Sequence, residues 1–443
     1  MNETDESGSE SSLQKILIVT YDWPPRNSIA THRPYSWARY WAEQGLEVTV
    51  LTAKKKFFDQ PLDLELPKID AVKVVETDYK TMIPLTSSSQ NKNVQRWIES
   101  LKKLKAFIST VSGLEYDVRS NWAGTSDQMI KEIGTDFDII ISTYGPDSSH
   151  IIASKFKKIN PSLYWVADYR DLWSQNVRKK DSYILRKIIK RREIQVVGSA
   201  DLFTTVSMEL AEKLKHLTRK MPEVIFNGFD GDIIPKKYNE QLKIKNGCVN
   251  IIYTGRIYPN KRNPLPLIKS IESLIDKKMI ISTDVKIKFY GGNTKIINAE
   301  IGILKYPEII EHYGHVPRSV ALQLQQSADL LLLLESGDDD SKGFLTGKIF
   351  EYIGAGRPII SIGSSPNSAI ARVLKETQCG VCYGDNSEVL AEDIFSYLRG
   401  ELPVWYKPDI SAIEFYSRKK QAQILLEKIK NSYVKNHKNN AYQ

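Results

Sequence analysis

The chain has 443 residues, of which 41% are hydrophobic and 26% are charged, and its formal net charge is +9 at pH 7. This balance is typical of a globular protein with two or three domains. No run approaches 18 uninterrupted apolar residues, so we expect no membrane-spanning helix. The positive charge favours anionic partners such as nucleotides, phospholipid surfaces or nucleic acid, and by itself does not choose among them.

The N-terminus and the cysteines indicate the compartment. Residues 1–13 carry acids and serines but no base, which predicts a disordered tail and no secretory signal. Three cysteines without a disulfide framework favour a reducing compartment, and we expect a cytoplasmic protein. Cys379 and Cys382 have the spacing of a redox or metal half-site, but no second Cys or His pair accompanies them, so a structural role is favoured.

The first half of the chain alternates short apolar runs with helical segments. Residues 15–21 form a β-branched run typical of a buried parallel strand, and the loop 22–32 leads to a helix predicted over 33–44. The next strand is predicted at 47–52, which completes a βαβ unit. The same alternation continues and predicts a Rossmann-like domain over 14–230.

A second alternating pattern follows a polar, lysine-rich stretch at 231–248 that is typical of a linker. It predicts a second Rossmann-like domain over 249–410. A final helix and tail, 411–443, are expected to cross back to the first domain. The predicted fold class is therefore α/β, with two doubly wound domains facing a cleft, and this cleft is the default ligand site.

The stretch 343–358 has the pattern of a phosphate-binding loop. Gly343 and Gly347 precede a helix predicted from about Lys348, and the unpaired N–H groups of a helix start suit an anion. Glu351 lies one turn inside this helix, off its apolar stripe, where a carboxylate can accept hydrogen bonds from ribose hydroxyls. An ordinary loop–helix–strand connection with a solvated glutamate explains the stretch alone equally well.

Three other polar loops follow predicted strands of the second half, at 255–262, 291–292 and 314–316. Because the carboxyl ends of parallel strands share one edge, we expect these loops to converge with the glycine loop. Arg256 and Lys261 add positive charge beside a helix start, which suits a diphosphate. A solvated loop charge explains either cation alone, but the grouping favours a ligand site.

Several segments, taken in order, make the chain resemble a GT-B glycosyltransferase of the retaining family four, whose members transfer sugars from nucleotide-sugar donors. The resemblance covers nearly the whole chain, and the order and spacing of the segments are more specific than any one of them. The segments are 16–21, 37–52, 165–173, 200–207, 224–230, 253–261 and 346–358.

The resemblance implies roles for positions of the second half. Arg256 and Lys261 are the catalytic pair, which grips the donor diphosphate and stabilises the leaving nucleotide without a metal. Glu351 binds the donor ribose. The remaining implied donor-binding residues are Gly255 beside the diphosphate, Gly343, Phe344, Leu345 and Thr346 along the glycine loop, and Gly314, His315 and Val316 beside the base.

The chain departs from the family pattern at three places. Gly343 stands eight residues before Glu351, where members commonly carry a second glutamate. Arg170 replaces a histidine found in many members, and the loop 27–31 contains no glycine. We expect activity to be retained, with a UDP-sugar favoured over a GDP-sugar by family frequency, while the sugar itself is undefined.

The loops of the first half are expected to meet the acceptor. The candidates for contact with acceptor or donor sugar are Asp168, Arg170, Asp171, His150 and Thr31. Asp171 is equally suited to capping the next helix, and a lone histidine at a helix start is more often structural. The resemblance implies that the donor's own phosphate is the base, so no side-chain nucleophile is expected.

Charged segments suggest further partners. The run 338–340 is three aspartates, which suit Mg²⁺, but a solvated loop is favoured and no metal or other cofactor is expected. The basic segments 94–111 and 178–192 suit peripheral contact with an anionic membrane, at its inner face. For 94–111 alone a core-packed helix with a solvated basic side is favoured, and the presence of both segments in the first half favours membrane contact. No aromatic–basic interleaving supports nucleic-acid binding.

The predicted function is hexosyl transfer, with retention, from a nucleotide-diphosphate-sugar to a glycan or lipid-linked acceptor, as in polysaccharide, lipopolysaccharide or other cell-envelope glycan biosynthesis. One alternative is a non-catalytic nucleotide-sugar-binding subunit, which the missing carboxylate at Gly343 keeps open. The other is a nucleotide-sugar epimerase on the same fold, which would want an acidic and histidine set around the sugar that the sequence does not assemble.

Overall fold

The structure, a computed structural model, describes residues 13–81, 117–176, 183–231, 247–257, 262–291, 304–335, 345–363 and 365–441, the last without side chains from 437 onward. Several predictions fall outside these residues and stay untested. They concern the N-terminal tail, the basic segment 94–111, most of the linker, Lys261, Gly343, Phe344 and the aspartates at 338–340.

The chain divides into two compact units. The first unit ends at Ile225 and resumes at Ala422, and the second unit is Phe226–Gln421. Each unit is built on one parallel β-sheet whose central strands are almost wholly buried, as the apolar, β-branched runs predict. The predicted α/β class with two doubly wound sheets is confirmed.

The sheet of the first unit has seven strands in the order β3-β2-β1-β4-β5-β6-β7, so its strand order reverses between β1 and β4. Its strands are β1 (Lys15–Val19), β2 (Glu47–Ala53), β3 (Val72–Thr77), β4 (Ile139–Thr143), β5 (Tyr164–Tyr169), β6 (Leu202–Thr205) and β7 (Glu223–Val224). Its helices are α1 (Ile29–Ala42), α2 (Ser126–Ile133), α3 (Ser148–Ile159), α4 (Tyr183–Val197) and α5 (Met208–Thr218), with 3₁₀ helices at Phe57–Asp59 and Val118–Thr125.

The sheet of the second unit has six strands in the order β10-β9-β8-β11-β12-β13, with its reversal between β8 and β11. Its strands are β8 (Val249–Thr254), β9 (Val285–Tyr290), β10 (Ile310–Gly314), β11 (Leu330–Leu334), β12 (Ile359–Ile362) and β13 (Gly380–Gly384). The helices are α6 (Leu265–Asp276), α7 (Arg318–Ser327), α8 (Gly347–Ala355), α9 (Ala369–Thr377), α10 (Ser387–Leu398), α11 (Ile410–Phe415) and α12 (Arg418–Ala441), with a 3₁₀ helix at Pro307–Ile309.

Helix α1 begins four residues earlier than predicted. Ser28 is its N-cap, and the Ser28 hydroxyl accepts a hydrogen bond from the backbone N–H of Ala30 at 3.3 Å. Pro34 therefore lies inside the helix, where its missing N–H leaves one carbonyl of the first turn without its helical donor. The early start brings Thr31 and Arg33 into the helix.

The C-terminal helix crosses back to the first unit, as predicted. Residues of α12 from Ala422 to Ile429 are buried in the core of the first unit beside Trp37 and Trp41, and the indole N–H of Trp41 donates to the carbonyl of Ala422 at 2.9 Å. The single helix predicted from residue 411 is instead two, because Phe229 takes backbone hydrogen bonds from both sides of the break. Its N–H donates to Tyr416 and its carbonyl accepts from Arg418.

Within the described residues, no helix is long and apolar enough to cross a bilayer.

Candidate functional site

The best candidate site lies at the carboxyl edge of the second sheet, where β8 and β11 adjoin. The loops after β8, β9 and β10 touch there. The N–H of Gly291 donates to the carbonyl of Gly314, and a Cβ built on Gly291 would lie 3.1 Å from the carbonyl oxygen of Gly255. The convergence expected from the sequence is therefore present in these three loops.

Position 255 requires a glycine for two reasons, its backbone conformation and a neighbouring side chain. Its φ is +134°, a conformation that L-residues with side chains rarely adopt. A Cβ at this position would collide with Cε and Nζ of Lys348, which passes directly beside the glycine. The absence of a side chain at Gly255 thus lets a lysine of α8 reach the loop after β8.

Lys348 connects α8 to the loop that carries Arg256. Its Nζ donates to the hydroxyl of Tyr253 at 2.9 Å and lies 4.5 Å from the centroid of that ring. The Tyr253 hydroxyl in turn donates to the carbonyl of Arg256 at 2.8 Å. The loop geometry at Arg256 therefore depends on a lysine nearly a hundred residues further along the chain.

The ammonium of Lys348 has an unusual environment. Among the described residues, no carboxylate lies within ion-pair distance of its Nζ. Burial, reinforced by the charge of Arg262 and opposed by Glu335 and Glu351, lowers its pKa to about 7. A cation kept without a carboxylate partner at a strand end is well suited to an anionic ligand.

Glu351 is held by residues of the neighbouring elements. Its Oε1 accepts from Nη2 of Arg318 at 2.9 Å, and its Oε2 lies 3.5 Å from Nε2 of Gln325. The same amide donates to the hydroxyl of Thr254 at 2.9 Å, so the carboxylate is tied to the end of β8. Because its side chain is only 16% exposed, the solvated glutamate considered from sequence does not describe it. Its role as a ribose ligand stays a prediction.

The other predicted donor residues occupy the same edge. Arg256 is exposed, and its side chain makes no hydrogen bond or ion pair with any described residue. Thr346 is the N-cap of α8 without using its side chain, and Leu345 before it is buried. Gly314 ends β10 with a φ of +72°, followed by the exposed His315 and the half-buried Val316. What each residue binds stays a prediction.

Asp168 of the first unit is enclosed by a polar network. Arg33 donates to both of its carboxylate oxygens, Nη2 to Oδ1 at 2.7 Å and Nε to Oδ2 at 3.1 Å. The hydroxyls of Thr143 and Thr204 donate to the same two oxygens at 2.9 and 2.6 Å. Asp168 is completely buried, so the predicted contact with acceptor or sugar does not fit this structure. Its role is to join α1, β4, β5 and β6.

His150 and Thr31 are likewise internal, which corrects two more acceptor candidates. The Nδ1 of His150 is 2.7 Å from the hydroxyl of Ser142, and its ring packs 4.9 Å from that of Tyr169. Burial lowers the pKa of His150 to about 3, so the imidazole is neutral at physiological pH. The Thr31 hydroxyl donates to the carbonyl of Arg26 at 2.9 Å. The side chains of His150 and Thr31 are both fully buried.

Arg170 and Asp171 remain accessible at the end of β5. Arg170 donates through Nε to the carbonyl of Tyr144 at 2.9 Å and pairs through Nη2 with Asp22 at 3.0 Å. Asp171 is half-buried and makes no hydrogen bond or ion pair with a described residue. Its capping role is untested, because residues 177–182 before α4 lie outside the described chain.

Cys379, one of the two cysteines with half-site spacing, has an internal side chain. Cys379 is buried and donates to the carbonyl of Thr377 at 3.5 Å, and burial raises its pKa to about 12. Such a thiol is inert, in keeping with a structural role. In the described part of the chain, no group of three His, Cys, Asp or Glu side chains lies close enough together to hold a metal ion.

The two parallel sheets and their strand orders define a protein of the GT-B fold. No family model matches the chain. No curated protein matches it in sequence. Solved structures match it over nearly its whole length, at identities that establish the fold alone.

The N-terminal domain of a Candida albicans trehalose-6-phosphate phosphatase has a TM-score of 0.61 and 14% identity, covering 97% of this chain and 99% of that one. A trehalose-6-phosphate structure from Escherichia coli, bound with UDP-2-fluoro glucose, has a TM-score of 0.59 and 13% identity over 94% and 99% of the two chains. A UDP-N-acetylglucosamine 2-epimerase assigned in Listeria monocytogenes has a TM-score of 0.50 and 11% identity over 95% and 97%.

Sequence reasoning missed Lys348 as a candidate site residue. A lysine beside the apolar residues of a short helix is normally counted as solvated. The available signal was its place in Thr346-Gly-Lys348, directly after a glycine loop and at a helix start. Gln325 was also missed, because its link to both Thr254 and Glu351 depends on how α7 packs.

Proposed function

We propose that the protein is a glycosyltransferase that takes a sugar from a nucleotide-diphosphate-sugar donor. The observation that carries the proposal is the junction of Gly255, Arg256, Lys348 and Glu351 at the switch point of the second sheet. Two cations and the start of α8 offer charge-assisted and backbone donors to a diphosphate. Glu351 offers a carboxylate oxygen to ribose hydroxyls about one turn further along the same helix.

The reaction proposed for this edge needs no side-chain nucleophile. As the bond from the sugar to the diphosphate breaks, negative charge grows on the departing diphosphate. Arg256, together with Lys261, stabilises that charge, and removal of one electrostatic donor to a developing charge typically raises the barrier by about 3–4 kcal/mol. In finer detail, we propose that a hexosyl group is transferred from a UDP-sugar with retention of configuration at the sugar, and that the reaction needs no metal ion. We propose a glycan or lipid-linked acceptor in polysaccharide or cell-envelope biosynthesis.

Helix α4 supports a proposed contact of this cytoplasmic enzyme with an anionic membrane face. Tyr183, Ile184 and Ile188 are each more than half exposed, and they alternate with Lys187 and other basic residues. Apolar side chains among cations on one helix suit insertion at a lipid surface. Flotation of the full chain with anionic but not neutral vesicles tests this contact, and no flotation with either would remove it.

The deciding experiment is a donor panel read by mass spectrometry. The full chain is incubated with UDP- and GDP-sugars, and release of the nucleotide diphosphate is followed with and without lipid and glycan acceptors. We expect one donor to be consumed, and Arg256→Ala to weaken binding of its nucleotide about 10-fold or more, because one charge-assisted bond to phosphate is lost. Arg399→Ala, an exposed arginine of the same unit, is the control.

The panel also separates the alternatives. Conversion of the sugar while it stays on its nucleotide would indicate an epimerase. Binding without any consumption would indicate a non-catalytic subunit, and neither result is compatible with the proposal.

Glu351→Ala is expected to abolish the discrimination between UDP and 2′,3′-dideoxy-UDP. The parent protein should prefer UDP by roughly 10- to 100-fold, since each hydrogen bond to a carboxylate is worth about 1.5–3 kcal/mol. The variant should bind both ligands as the parent binds the dideoxy ligand, as measured by calorimetry. A variant that still prefers UDP to the same degree would show that the ribose is held elsewhere.

A further inference from the structure

Four cationic side chains meet around Tyr21 and Asp22 at the carboxyl edge of the first sheet. They come from the loop after β1, the end of β2, the 3₁₀ helix Val118–Thr125 and the end of β5. We call them the cationic cluster, and its members are Arg26, Lys55, Arg119 and Arg170. The proposed donor residues all belong to the second unit, whereas every member of the cationic cluster belongs to the first.

Two members of the cationic cluster share one carboxylate. Asp22, with a side chain only 3% exposed, pairs through Oδ1 with Nη1 of Arg26 and through Oδ2 with Nη2 of Arg170. Among the described residues, Nη2 of Arg26 and Nη1 of Arg170 have no hydrogen-bond partner. Arg119 pairs with Asp117 at 2.6 Å. Each of the two arginines that pair with Asp22 therefore has one terminal nitrogen available to a ligand.

Lys55 has no carboxylate at ion-pair distance among the described residues. Its Nζ donates to the hydroxyl of Thr52 at 3.0 Å and to the carbonyl of Ala53 at 2.6 Å. Both acceptors are neutral, so the ammonium charge is not neutralised by contact. Desolvating an unpaired charge is costly, and a bound anion would offset that cost.

The ring of Tyr21 is the common surface on which three of these cations converge. Arg26, Lys55 and Arg119 lie 5.7, 5.3 and 5.7 Å from its centroid. The Tyr21 hydroxyl donates to Asp59 at 2.9 Å and lies 2.7 Å from that of Tyr79, which orients the ring. Asp22 and Asp117 offset part of the charge of the three arginines, whereas Lys55 has no carboxylate partner in the described chain, and a bound anion would balance the remaining positive charge.

We propose that Arg26, Lys55, Arg119 and Arg170 bind a phosphate group at the carboxyl edge of the first sheet. Guanidinium groups match the oxygens of a phosphate two at a time, and an ammonium adds a point charge. The inference deepens the proposed function and rests on it where it names the source, a phosphorylated acceptor. The other source of the same chemistry is the diphosphate of the donor, and the experiment distinguishes them.

Binding should depend on pH through Lys55. Burial lowers the pKa of Lys55 to about 8, with Asp22, Glu76 and Asp59 acting to raise it and Arg26 to lower it further. The charged form binds the anion, so phosphate affinity should fall as pH rises through about 8. Inorganic phosphate is already mostly dianionic there, which leaves the protein as the titrating partner.

The test is calorimetric titration of the full chain with inorganic phosphate and, separately, with UDP. Lys55→Met is compared with Lys54→Met, an exposed lysine one position earlier, and Arg119→Gln provides a second variant of the cluster. We expect Lys55→Met and Arg119→Gln to weaken phosphate binding about 10-fold or more, since a charge-assisted bond is lost. Lys54→Met should bind as the parent does, and the pH dependence should disappear in Lys55→Met.

The UDP titrations identify the source of the phosphate. Unchanged UDP affinity in Lys55→Met, with phosphate binding intact in Arg256→Ala, supports a phosphorylated acceptor. Loss of UDP affinity in Lys55→Met supports the donor diphosphate instead. A parent that does not bind phosphate, or a folded Lys55→Met that binds it equally well, overturns the site. Phosphate binding by a protein that turns over no nucleotide-sugar would leave the site standing while the proposed function fails.

Discussion

Lys348→Met is expected to lower kcat/KM for the nucleotide-sugar donor about 100-fold, the scale on which removal of one preorganised charge donor acts. Two effects combine. The loop loses the hydrogen bond from Nζ to Tyr253, whose hydroxyl holds the carbonyl of Arg256. The site also loses a positive charge beside Gly255. Lys348 is therefore expected to act as a positioning residue that adds charge.

The pH dependence distinguishes this role from a merely structural one. With a pKa lowered to about 7 by burial, Lys348 loses its proton in the free protein as pH rises through neutrality. The donor kcat/KM should fall over that range, because the protonated form supports diphosphate binding. A bound diphosphate raises the pKa again, so kcat should hold to higher pH.

Two further variants sharpen the measurement. Lys348→Gln keeps a hydrogen-bond donor for Tyr253 but has no charge. Its kcat/KM should lie between those of the parent and Lys348→Met, and the fall of kcat/KM with rising pH should be absent. Lys375→Met, an exposed lysine of α9, is the control for a change of net charge. If Lys348→Met retains both the parent rate and the parent pH profile, neither the hydrogen bond nor the charge matters to the reaction.

The fold was predictable because the central strands of both sheets are short and apolar. Runs such as 139–143 and 330–334 are wholly buried and bounded by polar loops, which is the pattern of parallel strands covered on both faces. Helix boundaries were less predictable. The break before Arg418 depends on hydrogen bonds to Phe229, which is distant in sequence. Its local mark is Ser417, whose hydroxyl accepts from the N–H of Lys420 at the start of α12.

The candidate site was predictable where position follows from topology. Gly255 and Arg256 follow β8 and Gly314 ends β10, so a doubly wound sheet places them at one edge. Side-chain partners were not predictable in this way. Asp168 has the same sequence context whether it faces a ligand or Arg33, and only the packing of α1 across the sheet decides between them. The position of the Lys348 side chain was not predictable for the same reason, because it depends on the absence of a side chain at Gly255.

Arg33→Met is expected to destabilise the first unit by about 3–5 kcal/mol, the usual effect of removing one partner from a buried ion pair. Asp168 would be left fully buried with a charge and only the two threonine hydroxyls, Thr143 and Thr204, to stabilise it. The carbonyl of Ile225 would also lose the hydrogen bond from Nη1, which is 2.7 Å long. The lost hydrogen bond holds Ile225, the residue at which the chain leaves the first unit.

The measurement is urea unfolding followed by tryptophan fluorescence, because every tryptophan except Trp405 precedes Ile225 and the signal reports mainly on the first unit. Arg39→Met is a matched control on the same helix. Its ion pair with Glu43 has both side chains nearly half exposed, so its loss should cost less than about 1 kcal/mol. The double variant Arg33→Met with Asp168→Leu should lose less than the sum of the single changes, since no buried charge is then left unpaired. Equal destabilisation by Arg33→Met and Arg39→Met would mean that the Asp168 network does not hold the first sheet and α1 together.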